Sequence, residues 1–168
     1  QQRKELDDKT KPIINKAHTR AALEDLANNT RNRLIADEKI NRNLSDAERK
    51  LIEKAVDEAL DFLDKNPNAT EQEVEKQREK LEKAVAPLFK LAEARDDLNN
   101  AALNVRDDLN DPNGSLNDLS PSERKQIEQA IDDVLNYLAK HPINVDEINK
   151  KREQFYGKVN PIIDGEDK

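Results

Sequence analysis

Residues recur along this chain at a spacing of 75. Leu23 pairs with Leu98, Ser45 with Ser120, Arg49-Lys50 with Arg124-Lys125, and Pro67 with Pro142. Upstream, Gln2-Arg3, Leu6 and Pro12 pair with Gln77-Arg78, Leu81 and Pro87. A period of this size implies a chain of similar helical units, each closing its core against a neighbour, rather than one globular core. The register begins partway through a unit.

Composition decides how such units must be built. Of 168 residues, 39% are charged, 35% apolar and 3% aromatic, with a net charge of -7. Those values lean towards disorder, because little apolar surface offsets chain entropy. The charges are well mixed, however, and the apolar residues are periodic, which fits thin, solvent-rich helical layers. The acidic balance argues against nucleic acid, whose phosphates need clustered Lys and Arg. Lys and Arg here are scattered among carboxylates, often at the i,i+4 spacing of a solvated helix face. With no Cys in the chain, disulfides and thiolate metal sites are excluded. No apolar run approaches the roughly 18 residues of a membrane span, and no secretory h-region is visible. A first residue other than Met implies a processed or trimmed N-terminus.

The clearest helix covers residues 45–65. Ser45 is placed to cap it and Glu48 to complete a capping box. Ile52, Ala55, Val56, Ala59, Leu60 and Leu63 then follow 3.6-residue spacing, and Asn66-Pro67 stops the run. The copy reads Ser120, Glu123, Ile127, Ala130, Ile131, Val134, Leu135 and Leu138, stopping at His141-Pro142, with Pro121 at the tolerant first helical position. Thr70 and Glu73 form another capping box, and the pattern then predicts one long helix over 70–110, bent at Pro87. The same element stands at the front as residues 2 to about 40, bent near Pro12, and a third partial copy covers about 145–163.

Within the 70–110 helix, Leu81, Val85, Leu88 and Ala92 cluster on one face. Leu98, Ala102, Val105 and Leu109 cluster about a quarter-turn away. The front helix repeats this with Leu6, Ile13 and Ala17, then Leu23, Ala27 and Leu34. One helix thus serves two units, with the boundary near Arg20 and Arg95. Lys9, Thr10 and Lys11 replace the apolar Ala84, Val85 and Ala86, so the front helix end reads as a polar cap. The expected architecture is all-α and elongated: five helices, two of them shared, with units 1–94 and 95–168.

Residues 23–92 resemble the C-terminal helical lid of the heat-shock protein 70 chaperones. The run from Ser45 to Asp64 carries most of the likeness, continuing through Glu73, Lys80-Leu81-Glu82 and Ala86-Pro87-Leu88. Residues 98–163 resemble that lid more loosely, best at Asn160-Pro161-Ile162-Ile163, and residues 1–17 resemble its final helix, ending Lys11-Pro12-Ile13-Ile14. In that family the lid sits over a peptide-binding β-sandwich beside an ATPase domain. This chain has neither, and it ends Gly165-Glu166-Asp167-Lys168 without the family's co-chaperone-recruiting tail. The resemblance therefore implies a helical fold and transfers no active residue. Two and a fraction lids, joined through shared helices at a constant offset, read most simply as an engineered repeat.

Features that mimic sites have structural readings. His18 and His141 are the only histidines and lack a Cys partner, so they read as surface residues. Asp107, Asp108, Asp111, Asn113 and Gly114 suggest a calcium loop. With Gly114 as its sixth position, however, the loop would run from Leu109 to Ser120 and lack the bidentate Glu. A helix stop and turn is the better reading. Asn28, Asn43, Asn68 and Asn113 begin Asn-x-Ser/Thr triplets, which matter only in a secreted protein. Glu71, Glu73, Glu75, Glu79 and Glu82 interleave with Lys and Arg as a solvated face. Phe62 and Tyr137 share a repeat position, which favours packing.

No catalytic, cofactor-binding or metal-ligating residue is expected, no cofactor, and no nucleic-acid or membrane partner. The expected function is a designed structural scaffold, not an enzyme. The alternative is a natural helical module that binds protein or peptide, related to chaperone lids or bacterial surface repeats. A monomer is expected, with head-to-tail association through residues 1–17 and 145–163 left open.

Overall fold

A computed structural model describes the backbone of residues 2–165 and the side chains of residues 10–165. Among these residues the chain is all-α. Six helices follow in order: α1 Gln2–Ala36, α2 Glu38–Asn43, α3 Asp46–Lys65, α4 Glu71–Asn110, α5 Pro121–Leu138 and α6 Val145–Asp164, with one 3₁₀ turn at Ser115–Asp118. Pro12 and Pro87 lie inside the continuous helices α1 and α4. Packing divides the chain into Gln1–Phe89 and Lys90–Lys168, so the division falls inside α4, a few residues before Arg95.

Local chemistry sets the helix starts. Ser45 Oγ accepts from Glu48 N–H while Glu48 accepts from Ser45 N–H, and Ser120 and Glu123 do the same 75 residues on. Thr70 and Glu73 close a third reciprocal pair at the start of α4, at 2.8 and 3.2 Å. Each satisfies donors that a helix terminus otherwise leaves orphaned.

The first unit buries Leu23, Ala27 and Leu34 of α1 against Ile52, Val56, Ala59 and Leu63 of α3, with Val74, Leu81, Val85 and Phe89 of α4 completing its core. Arg31 ties α1 to Asp57 of α3 at 2.6 Å. Arg33 lies 4.5 Å from the centroid of the Phe89 ring. The second unit buries Leu98, Ala102, Val105 and Leu109 of α4 with Ile127, Ile131 and Val134 of α5 and Ile148, Phe155 and Val159 of α6. Each fully buried Leu, Ile, Val or Phe contributes about 1.5–3 kcal/mol. An exposed ion pair contributes about 0–1 kcal/mol, so the apolar stripes dominate stability.

Two expectations need correction. The front helix ends at Ala36, not near residue 40, and a sixth α-helix follows. Asp37 has an extended backbone, and its carboxylate accepts from Lys39 N–H and Ile40 N–H, which starts α2 afresh. That restart drops Ile40 into the core at 1% exposure. In the second unit the matching connector is the 3₁₀ turn, and its plug is Leu116.

The offset is also not constant. α6 is capped by Asn144, whose side chain accepts from Asp146 N–H and Glu147 N–H, whereas α4 is capped from Thr70. From there to the C-terminus the matching positions lie 74 apart: Val74 with Ile148, Leu81 with Phe155, Val85 with Val159, and Pro87 with Pro161. One residue is missing between Pro142 and Asn144 relative to Pro67 and Thr70. A shift of one position rotates a helix face by about 100°, so the cap had to move with the stripe.

At the front of α1, Ile13 and Ala17 are exposed. Leu6, together with Lys9 of the expected polar cap, lies outside the residues whose side chains are described.

Candidate functional site

No catalytic constellation was expected. Between α3 and α4 runs an open groove of about 210 Å³, floored by Ala55, Ala59 and Leu81 and edged by Leu51. Its rim is closed by Glu58, which pairs with Lys80 across the groove at 2.8 Å and with Lys54 at 3.9 Å. The Lys80 ammonium holds the Glu58 carboxyl below its ordinary value of 4.5. The second unit has a groove at the matching place, about 290 Å³, between α5 and α6. Its floor is Ala130 and Ile162, and Asp133 faces Lys158 at 3.9 Å. Both volumes fall below the roughly 300–1,000 Å³ of typical ligand pockets. Both grooves are seams between packed helices.

The residues that mimic a calcium loop form a turn. Asp111 Oδ1 accepts from Asn113 N–H, Gly114 N–H bonds back to Asp111 C=O, and Asn117 Nδ2 donates to Pro112 C=O. A Cβ on Gly114 would meet the backbone oxygens of Asp108 and Asp111 at 3.1 and 3.2 Å, which explains the glycine by close approach. Asp107 and Asp108 point to solvent. Among the described residues no three His, Asp or Glu side chains are placed to share a metal ion. His18 is exposed on α1, and His141 is exposed beyond α5 with φ at +49°. In the Glu-rich run, Arg78 grips Glu75 in a fork at 2.6 Å and reaches Glu82 at 2.9 Å, while Lys83 faces Glu79. Ser45 and Thr70, within the Asn-x-Ser/Thr triplets, act as helix caps.

Sequence reasoning marked Arg20 and Arg95 only as a boundary and missed their role. Arg20 donates to Asn66 C=O and Leu63 C=O at 2.8 and 2.6 Å, satisfying the open C-terminal end of α3. Arg95 is 3% exposed and donates through Nε to Pro142 C=O at 3.0 Å, just past the end of α5. A guanidinium placed at a helix C-terminus meets the orphan carbonyls and the negative end of the dipole together. The recurrence of Arg at the same distance before Asn66-Pro67 and His141-Pro142 was the available signal. Arg49 and Arg124 hold the other end, donating to Asn41 C=O and Leu109 C=O.

Tyr137 is the other unforeseen feature. Its ring packs against the second core, with Lys151 Nζ 5.6 Å from the ring centroid, and its buried hydroxyl has no hydrogen-bond partner. Burial, and secondarily the Glu147 carboxylate, raises its pKa above the ordinary 10.0. A raised folded-state pKa means the associated stability is complete below the unfolded value. It is lost as pH rises from about 10 through the folded pKa. Phe62 holds the matching position in the first unit without a hydroxyl. Tyr137→Phe is therefore expected to stabilise the second unit by about 1 kcal/mol and to reduce its alkaline sensitivity. Urea titrations at pH 7 and pH 10.5 check this, and a destabilised variant would mean the hydroxyl is bonded.

No protein-family model matches the chain, and no solved structure matches it at a significant level.

Proposed function

We propose that this chain is a structural helical scaffold of lid-like units and not an enzyme. The observation that carries this reading is where the polar side chains go. Arg20, Arg95, Arg49 and Arg124 bond main-chain carbonyls, while Glu48, Glu73 and Glu123 bond helix-start amides. The groove rims bear paired charges. A group committed to helix ends is not free to take a proton from a substrate or to bind a nucleotide.

The lid resemblance supports the helical design and brings no client-binding surface with it, because the apolar stripes of α3 and α5 are spent on their own units. As to origin, designed repeats favour idealised loops and avoid positive φ outside glycine. The unequal connectors, the 74-residue offset and the positive φ of His141 support copies that diverged separately.

A thermal-unfolding screen against nucleotides, divalent cations and reduced, unfolded polypeptide tests the scaffold reading. No shift is expected for any of them. A ligand present at 100 times its Kd would add about 2.7 kcal/mol, or several degrees for units of this size. A reproducible shift with unfolded polypeptide would replace the scaffold reading with a peptide-binding one.

A further inference from the structure

Two surface turns of this chain share a sequence pattern and differ at one decisive residue. Asn66-Pro67-Asn68-Ala69 leads out of α3, and Asp111-Pro112-Asn113-Gly114 leads out of α4. Both close the same way: Ala69 N–H donates to Asn66 C=O at 3.1 Å, and Gly114 N–H donates to Asp111 C=O at 3.0 Å. Asn68 and Asn113 are both exposed. Ala69 is 7% exposed, and its methyl group crowds its own nitrogen. Gly114 has no Cβ, so the approach to its nitrogen is open. Asn113 is the only asparagine of the chain that a glycine follows. Asn43, Asn66, Asn100, Asn117 and Asn144 commit their side chains to hydrogen bonds. The Asn113 side chain makes none with the described residues.

We propose that Asn113-Gly114 is a self-modifying site: Asn113 converts to isoaspartate without an enzyme, and the lengthened backbone loosens the connector that seats Leu116. The Gly114 nitrogen gives its proton to hydroxide and attacks Asn113 Cγ. The bond from Cγ to Nδ2 breaks, and ammonia leaves. The resulting five-membered succinimide takes up one water. Opening at Cγ gives aspartate. Opening at the backbone carbonyl gives isoaspartate, whose main chain runs through Cβ and Cγ and is one methylene longer. The two bonds that hold the turn to Asp111, from Asn113 N–H at 2.9 Å and Gly114 N–H at 3.0 Å, lie at the surface and open by local unfolding. The closed turn has no room for the added methylene. A single carbon placed on Gly114 already comes within 3.1 Å of the Asp108 backbone oxygen and 3.2 Å of the Asp111 one. Two residues on, Leu116 is 4% exposed in the second core, and Asn117 Nδ2 ties its turn to Pro112 C=O at 2.7 Å. The modification goes beyond the scaffold reading and does not depend on it.

The test incubates the full chain at pH 8.5 and 37 °C and follows every asparagine by peptide mapping and mass spectrometry. Asn113 should gain one mass unit, with isoaspartate as the main product. Asn68, in the matching turn, should still be unmodified when half of Asn113 has converted. Asn113→Gln should block the change, because its longer side chain must close a six-membered ring, and should fold normally because the position is exposed. The isoaspartate form, separated by chromatography, should lose its tyrosine signal at lower urea than the unaltered chain; both tyrosines lie in the second unit. Freshly prepared Asn113→Asp adds the same charge without the methylene and should keep the unaltered midpoint. An Asn113 that survives the incubation, or conversion of Asn68 at the same rate, overturns the proposal. An isoaspartate form with the urea midpoint of Asn113→Asp overturns it as well, since the longer backbone would then leave the connector intact.

Discussion

Phe155→Ala is expected to destabilise the second unit by about 3–5 kcal/mol. The ring is 2% exposed and, with Ile148 and Val159, fixes α6 to the rest of its core. A domain of this length holds roughly 4–12 kcal/mol in total, so the substitution removes a large part of it. The residue is also hard to replace by collapse, since α6 is joined to the core along one stripe only. The chain provides its own unit-specific reporter. Both tyrosines, Tyr137 and Tyr156, lie in the second unit, and there is no tryptophan. In urea, the tyrosine signal of the variant should unfold first, while circular dichroism retains a later transition from α1 and α3. Ile143→Ala, at 82% exposure, serves as control and should change stability by less than about 0.5 kcal/mol. A single unshifted transition for Phe155→Ala would mean that α6 contributes little to the fold.

Arg95→Ala is expected to destabilise the same unit by about 2–3 kcal/mol. The change leaves the Pro142 carbonyl without its guanidinium and opens a gap at a position that is 3% exposed. Arg95→Lys should recover little, because lysine places a methylene where Arg95 Nε donates to Pro142 C=O. The equivalent Arg20→Ala should matter less, at about 1 kcal/mol, since Arg20 is only partly buried and water can take over its carbonyl partners. Denaturant midpoints of the three variants, read by tyrosine fluorescence for Arg95 and circular dichroism for Arg20, decide the matter. A change under about 0.5 kcal/mol for Arg95→Ala would show that the guanidinium is tolerated there and does not hold the helix end.

Much of the fold was legible because the helix-forming signals are local. Ser45 with Glu48, Thr70 with Glu73 and Ser120 with Glu123 announce helix starts within four residues. Ile52, Val56, Ala59 and Leu63 announce the buried face by spacing alone. What escaped notice depends on partners distant in sequence or on competition between near-equal conformations. The break at Asp37 pits helix continuation against an Asx cap, a difference of about 1 kcal/mol that the sequence pattern alone does not resolve. The buried role of Arg95 requires knowing that the end of α5 comes back to it. Periodicity puts Leu6, Ile13 and Ala17 on one face of the front helix, and it says nothing of whether anything lies against that face. The candidate site was less legible still, because absent motifs carry no geometry.

Native-state hydrogen exchange, compared between the unaltered chain and Phe155→Ala, tests most directly whether this is a scaffold of two self-contained helical cores. In the unaltered chain, amides of α3, α5 and α6 beside Ile52, Ile127 and Phe155 should exchange only through unfolding of their own unit. Amides at residues 10–17, beside the exposed Ile13 and Ile14, should exchange far faster. In Phe155→Ala, protection should fall across α5 and α6 and remain unchanged across α3. A uniform loss of protection along the whole chain would contradict separate cores, and with them the structural account of what these residues are for.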